Sequence, residues 1–156
     1  MDDLRSVLGA DRARAEPLEL ALYQRDAGVD RGQAAAVCFP STGADLAAAV
    51  RVAARHDRPF VARGSGTGLA GGATPVGDPL VIVTTQLNEI LEVDEEERFA
   101  WVEPGVLNLD LSREVRHLGL HYAPDPSSQQ ACTIGGNVAT NAGGPHCLAE
   151  IGRAHV

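Results

Sequence analysis

The sequence contains no lysine: all 13 basic residues are arginine, set against 21 acidic ones for a net charge of −8 over 156 residues. A basic face able to displace counterions from DNA or RNA is therefore not expected, and no nucleic acid is expected as a partner. A Walker A phosphate loop, which requires a lysine, is excluded outright. Cysteine is scarce and odd in number. Cys38, Cys132 and Cys147 suggest no disulfide framework, and with His146 they match no zinc spacing, so no metal site is expected and a reducing compartment, the cytoplasm, is. Long hydrophobic runs are missing as well. The longest, Ala34 to Phe39, falls far short of the roughly 20 residues of a membrane helix, and the acidic start MDD lacks the basic and apolar regions of a secretion signal. What remains, 44% apolar and 22% charged residues with 17 glycines and 9 prolines, is the composition of one globular domain and not of a disordered or collagen-like chain.

Residues 1–33, rich in arginine and acids with scattered leucines at 4, 8, 18 and 22, read as an N-terminal helical segment of one or two short surface helices. From Ala34 the pattern changes. AAAVCF, closed by Pro40, has the length of a buried strand. Thr42 with Asp45 resembles a capping box that opens a helix, whose Leu46, Val50 and Ala53 to Ala54 share a face before Asp57, Arg58 and Pro59 end it. Phe60 to Ala62 make a second strand, so the spacing predicts a βαβ unit with parallel strands. Leu80 to Val83 is a third strand. Leu91 to Asp94 and Phe99 to Val102, separated by Glu95, Glu96 and Glu97, predict a hairpin. Asn108 is placed to cap a helix with Leu111, Val115 and Leu118 on one face and Gly119 at its end. His56 and His117 read as solvent-facing at helix ends, His121 as the start of a strand, and residues 124–144 as turns.

The chemistry concentrates in two glycine clusters. R-G-S-G-T-G-L-A-G-G, Arg63 to Gly72, holds five glycines in the nine positions from Gly64, so it must be a loop with special backbone angles, Gly68 among the positive-φ positions. Gly66, Gly68 and Gly71 match G-x-G-x-x-G, but Thr74, Pro75, Gly77 and Pro79 follow and cannot continue the helix that a nicotinamide fingerprint needs. What fits better is a loop whose main-chain N–H groups cradle a phosphate, with Ser65 and Thr67 hydroxyls adding donors. The second cluster, T-I-G-G-N-V-A-T-N-A-G-G from Thr133 to Gly144, combines small residues with the amides of Asn137 and Asn141 and would let a flat ring approach the backbone. Together the clusters suggest a large dinucleotide held between two layers.

RGSGTGLAGG, followed by YAPDPSSQQACTIGGNVATNAGGPHC, resembles the flavin domain of FAD-linked oxidases of the vanillyl-alcohol-oxidase type, and within them the FAD-linked subunit of glycolate oxidase and its D-lactate dehydrogenase relatives. The resemblance implies an α+β fold: a two-layer FAD-binding domain in which a small parallel βαβ sheet packs with a second, largely antiparallel sheet, here over residues 34–149 and truncated at the C-terminus. Carried over by position, Gly64, Ser65, Gly66, Thr67 and Gly68, with Gly71 and Gly72, would wrap the pyrophosphate. Pro124, Asp125, Pro126, Ser127 and Ser128, then Thr133, Gly135, Gly136 and Asn137, then Asn141, Ala142, Gly143 and Gly144 would line the flavin and its ribityl chain. Residues 63–73 contain neither His nor Cys, so the FAD is expected to be non-covalent. The resemblance further implies a small 2-hydroxy-acid substrate in the full-length protein, and other oxidase subunits, an iron–sulfur subunit among them, that could bring a cytoplasmic protein to the membrane. It places the catalytic residues in a later domain, so none is assigned here and the isolated chain is expected to be inactive.

Two other readings fit the same residues: a cofactor-free interaction module and a nicotinamide-dependent oxidoreductase. Retention of FAD separates the first, and competition between NAD and FAD the second. The resemblance stops near Ala149, and residues 150–156 are expected to be a non-native tail. One back-translation of Glu150 to Val156, GAGATCGGAAGAGCACACGTC, contains the start of a widely used sequencing adapter. Amplification of the genomic locus decides that point.

Overall fold

A computed structural model of the chain describes residues 1–147, so the expectation of a non-native tail at 150–156 lies outside the described residues. The chain divides into two compact units, Met1–Leu87 and Asn88–Val156. It is an α+β structure with mixed parallel and antiparallel strand pairing.

In the first unit the elements run α1 (Asp2–Leu8), β1 (Ala13–Arg14), α2 (Pro17–Leu20), β2 (Ala36–Cys38), α3 (Gly43–Arg55), β3 (Phe60–Arg63) and β4 (Leu80–Val83). The sheet order is β1-β2-β4-β3, with β1 antiparallel to β2 and the other pairs parallel. The expected βαβ strands are thus parallel, but β4 inserts between them. The reason is in its composition: Leu-Val-Ile-Val is apolar on both faces and is buried at all four positions, as an interior strand of a parallel sheet must be. Leu80 and Ile82, with Ala36 and Cys38, pack on Leu4, Leu8, Ala49, Val52 and Ala53 of the helices. Val81, Val83 and Val37 face the other way, toward Leu20, Tyr23 and Phe39.

Two local readings change here. The Thr42 hydroxyl accepts from Asp45 N–H at 3.1 Å, as a cap should, but the Asp45 carboxylate accepts from Ser41 N–H instead of completing the box. The first 33 residues are not merely surface helices. Leu4 and Leu8, four apart and therefore on one face of α1, are 5% and 1% exposed, and β1 adds a strand to the sheet.

In the second unit β5 (Ile90–Asp94) and β6 (Phe99–Val102) form the expected antiparallel hairpin, with a register shift between Ile90 and Glu92. Glu97 N–H donates to Asp94 Oδ1 in the turn. α4 (Asn108–Glu114) runs into a 3-10 turn, Val115–Leu118, and stops at Gly119 with φ 73°. α5 (Ile134–Ala139) lies inside the segment read as turns. Val106, Leu111, Val115 and Ile134 form the core, with Val93, Ala100 and Val102 of the hairpin packed on it. His121 lies in no strand and is exposed. Among the described residues no helix is long and apolar enough to cross a membrane.

Candidate cofactor site

The first glycine cluster follows the carboxyl end of β3, the end of a parallel strand at which open α/β sheets bind ligands. A cavity of about 340 Å³ lies at the other end of this sheet, lined by Leu4, Ala36, Val52 and Leu80, and carries none of the glycine loop. From Gly64 to Pro79 the chain forms bends and turns with no helix, which removes the dinucleotide fold in which a helix would follow the loop. Among the described residues, nothing accepts from the main-chain N–H groups of Ser65, Gly66, Thr67, Gly68, Leu69 or Ala70. Backbone donors are seldom left unpaired without solvent or a ligand to receive them. Ser65, Gly68, Leu69 and Ala70 are exposed and Gly66 and Thr67 half-buried, so these donors stand open to solvent or to a ligand. They lie in a loop with Gly66 at φ 73° and Gly71 at φ 80°, and main-chain N–H groups left open in this way can receive a phosphate. Thr74 Oγ1, just beyond the loop, is buried with no partner.

Gly68 is not a positive-φ position. A Cβ there would meet only Asp26 Oδ2, at 3.8 Å, so the backbone argument belongs to Gly66, where a Cβ would collide with the Arg63 guanidinium. Gly71 N–H is also not free, because it donates to Asp26 Oδ2 at 2.8 Å. Arg63, 8% exposed, donates from Nη1 to Arg25 O at 2.9 Å and Ala73 O at 3.3 Å, and lies 5.6 Å from the Tyr23 ring centroid. Burial draws its pKa below the ordinary value, opposed by Tyr23 and Asp26. The floor of the loop is therefore built by Tyr23 to Gly28 and Arg63.

The second cluster is organised differently. Thr133 caps α5, its hydroxyl accepting from Gly136 N–H at 3.3 Å. Ile134 N–H donates to Val106 O, Gly135 N–H to Pro104 O and Asn137 N–H to Thr133 O. The donors at the start of this helix are thus all used internally, and a Cβ at Gly135 would lie 2.7 Å from Pro104 Cβ. Asn137, 5% exposed, turns its amide inward: Oδ1 accepts from Asn108 Nδ2 at 2.8 Å and Nδ2 donates to Cys132 Sγ at 3.3 Å. Asn108 also donates to Pro124 O at 2.7 Å. Asn108 is the first residue of α4 and not its cap, which is Leu107. Its fully buried amide joins Pro124 to Asn137 and so ties the PDPSS segment to α5.

Asp125 Oδ2 receives His146 Nδ1 at 2.5 Å, while its Oδ1 is buried without a partner. The His146 hydrogen bond holds the Asp125 carboxyl below the usual carboxylate range, against the opposing effect of burial. The carboxylate and carbonyl of Asp125 also fill the space a Cβ on Gly144 would need. Ser127 is exposed and Ser128 O accepts from Ala131 and Cys132 N–H, closing the turn after Pro126. Asn141 has φ 49° and ends α5. That left-handed position is one asparagine adopts more readily than most residues. Gly136, Ala142 and Gly144 are half-buried and Gly143 is exposed, which leaves a surface of small residues on this segment.

Asp26, Arg63 and Asn108 are the residues that sequence reasoning missed. Asp26 carried a signal, an Asp-x-Gly of the kind that folds a carboxylate onto the N–H two residues on. Arg63 ends an apolar strand directly before the glycines, a place where a charge needs a reason. Asn108 carried none beyond its fit to a cap.

A family model described as FAD binding domain matches residues 34–154. Glycolate oxidase subunit GlcD of Escherichia coli (strain K12) is 49% identical over 112 residues, which are 72% of this chain and 22% of that protein. D-2-hydroxyglutarate dehydrogenase of Stutzerimonas stutzeri (strain A1501) is 32% identical over 145 residues, 92% of this chain and 31% of that protein. Of solved structures, an alkyldihydroxyacetonephosphate synthase aligns with TM-score 0.83 over 97% of this chain and 33% of its own, at 20% identity, a likeness of fold. The chain thus spans between about a fifth and a third of the length of these relatives. Free donors in the first loop, small residues in the second cluster and the absence of His or Cys from residues 63–73 all fit a dissociable FAD. The chain belongs to the FAD binding domain family, is homologous to FAD-linked oxidoreductases of the glycolate oxidase GlcD and D-lactate dehydrogenase type, and takes FAD non-covalently as its cofactor.

Proposed function

We propose that this chain is the flavin seat of a 2-hydroxy-acid dehydrogenase acting on glycolate, D-lactate or a longer D-2-hydroxy acid. The reading is carried by the run of free N–H groups from Ser65 to Ala70, and is supported by the names of the relatives, which are a glycolate oxidase subunit, D-lactate dehydrogenases and a D-2-hydroxyglutarate dehydrogenase. FAD, when bound, supplies a hydride acceptor for the hydroxyl-bearing carbon and passes electrons onward.

The protein's own part is binding and orientation. Gly64 to Gly68 hold the pyrophosphate through N–H groups and the Ser65 and Thr67 hydroxyls. Gly71 and Gly72 shape the loop, because the Gly71 donor is already used. Pro124 to Ser128, Thr133, Gly135 to Asn137 and Asn141 to Gly144 line the flavin and ribityl chain by shape, because the amide of Asn137 and the first N–H groups of α5 point into the protein. Other oxidase subunits, one with an iron–sulfur centre, receive the electrons and associate this cytoplasmic protein with the membrane.

Two measurements test the reading. The purified chain is mixed with FAD, freed of excess by gel filtration and denatured: release of FAD is expected, and a colourless protein would overturn the cofactor role of these loops. In a protein of the relatives' length that carries this domain, anaerobic glycolate, D-lactate and longer D-2-hydroxy acids are expected to bleach the flavin. Bleaching by none of them would overturn the substrate class.

A further inference from the structure

The first loop has no helix or strand of its own, yet a phosphate site needs its donors held in one arrangement before the ligand arrives. The hold comes from the segment before β2. Asp26 is 5% exposed, and both of its oxygens accept main-chain N–H groups at 2.8 Å, Oδ1 from Gly28 and Oδ2 from Gly71. Ala27 N–H donates to Gly68 O at 3.0 Å. Residues 26–28 are therefore tied to the loop at Gly68 and Gly71, on either side of Leu69 and Ala70, while the donors from Ser65 to Ala70 stay free.

We propose that Asp26 is a positioning residue for the cofactor's pyrophosphate, a role that rests on the pyrophosphate reading of the loop. Its chemistry carries the inference. A buried carboxylate beside a site for a diphosphate repels the ligand, so simple electrostatics would place a neutral side chain here. A carboxylate is also an acceptor-only group that can take an N–H on each oxygen. Asparagine offers one such oxygen and turns a donor toward the second N–H. Asp26 thus accepts a repulsive charge in return for holding its own turn at Gly28 and the loop at Gly71 with one side chain. The two effects have opposite signs in the same variant: Asp26→Asn relieves repulsion and would tighten FAD if charge dominated, whereas it releases Gly28 or Gly71 and weakens FAD if positioning dominates.

The test is flavin fluorescence titration of the 156-residue chain and its Asp26→Asn, Asp26→Glu and Asp26→Ala variants with FAD, together with hydrogen exchange of the Gly71 amide in the unliganded proteins. Expected for Asp26→Asn is a Kd about tenfold higher, the size of one lost charge-assisted hydrogen bond, with unchanged stoichiometry, an unchanged bound-flavin spectrum and faster Gly71 exchange. Asp26→Glu, which keeps both acceptors, is expected to recover part of the affinity. A Kd that is unchanged or lower in Asp26→Asn overturns the proposal. So does a fall in stoichiometry at constant Kd, the mark of a residue that only maintains the fold. If Asp26→Ala does not fold, the asparagine and glutamate variants carry the comparison. Wild-type protein that takes no FAD overturns the pyrophosphate reading and this proposal with it, whereas wild-type binding that Asp26→Asn leaves intact overturns the role of Asp26 alone.

Discussion

Asn108 is a polar side chain with no exposure, and its Nδ2 group serves two acceptors, Pro124 O and Asn137 Oδ1. Asn108→Ala removes one unpartnered oxygen, Asn108 Oδ1, but takes the side-chain donor from Pro124 O and leaves Asn137 Oδ1 only the weak Cys132 Sγ donor at 3.7 Å. The expected cost is about 1–3 kcal/mol, read as a lower urea midpoint at unchanged slope. An unchanged midpoint would show that the three-way contact contributes nothing. Asp125 gives a pH dependence with a definite sign. Its hydrogen bond to His146 holds the folded carboxyl below its ordinary value. The associated stabilisation is therefore present above the unfolded carboxylate pKa and is lost as pH falls through the lowered one. His146 is three-quarters exposed, so solvent keeps the effect small. In His146→Ala the Asp125 carboxyl is expected to titrate at higher pH, toward the ordinary value of about 3.9. Carbon-detected NMR measures this directly, and an unmoved Asp125 titration would remove the pair from the account.

α5 shows what was and was not legible at the scale of an element. Four glycines and two asparagines in the twelve residues from Thr133 to Gly144 read as turn, and the helix is real because its ends are secured on both sides. Thr133 caps the start. At the other end Ala142 N–H donates to Asn137 O at 2.8 Å and Asn141 N–H to Val138 O at 3.3 Å, the paired bonds of a Schellman ending with Asn141 in the left-handed region. Asn141→Gly is therefore expected to keep the helix and its stability, while Asn141→Val, branched at a positive φ, is expected to cost about 1–3 kcal/mol and to lower FAD affinity through the displaced Ala142 to Gly144 segment. Equal thermal midpoints for the two variants would count against this ending. The hairpin, α3, α4 with its Gly119 stop and the buried strand β4 were legible because each carries its own period or its own terminator. The place of β4 between β2 and β3, the burial of Leu4 and Leu8 and the inward turn of Asn108 and Asn137 were not. They depend on partners far away in sequence, which no local pattern encodes. For the same reason the glycine loop was legible as a phosphate cradle, but its floor, supplied by Tyr23, Asp26 and Arg63, was not.

For the whole molecule the governing fact is that two units, Met1–Leu87 and Asn88–Val156, correspond to between about a fifth and a third of the relatives' length. The second unit contains a two-stranded sheet that packs one face on Val106, Leu111, Val115 and Ile134 and leaves Leu91, Phe99 and Trp101 exposed. Hydride transfer asks for more than a flavin seat. The substrate carbon must sit within about 3–3.5 Å of the acceptor atom, and a positioned group must take the hydroxyl proton. Asn108, Asn137 and His146 do not meet that demand: the two amides are bonded inward, and His146 uses Nδ1 on Asp125 while most of its ring lies in solvent. The 156-residue chain loaded with FAD is therefore expected to show no anaerobic bleaching by glycolate or D-lactate on the timescale at which a protein of the relatives' length is bleached completely. The comparison is made at equal bound flavin, so that weak cofactor affinity is not mistaken for missing chemistry. Bleaching of both at similar rates would mean that the proton acceptor is in this chain, and it would point to the His146 and Asp125 pair as the first residues to replace.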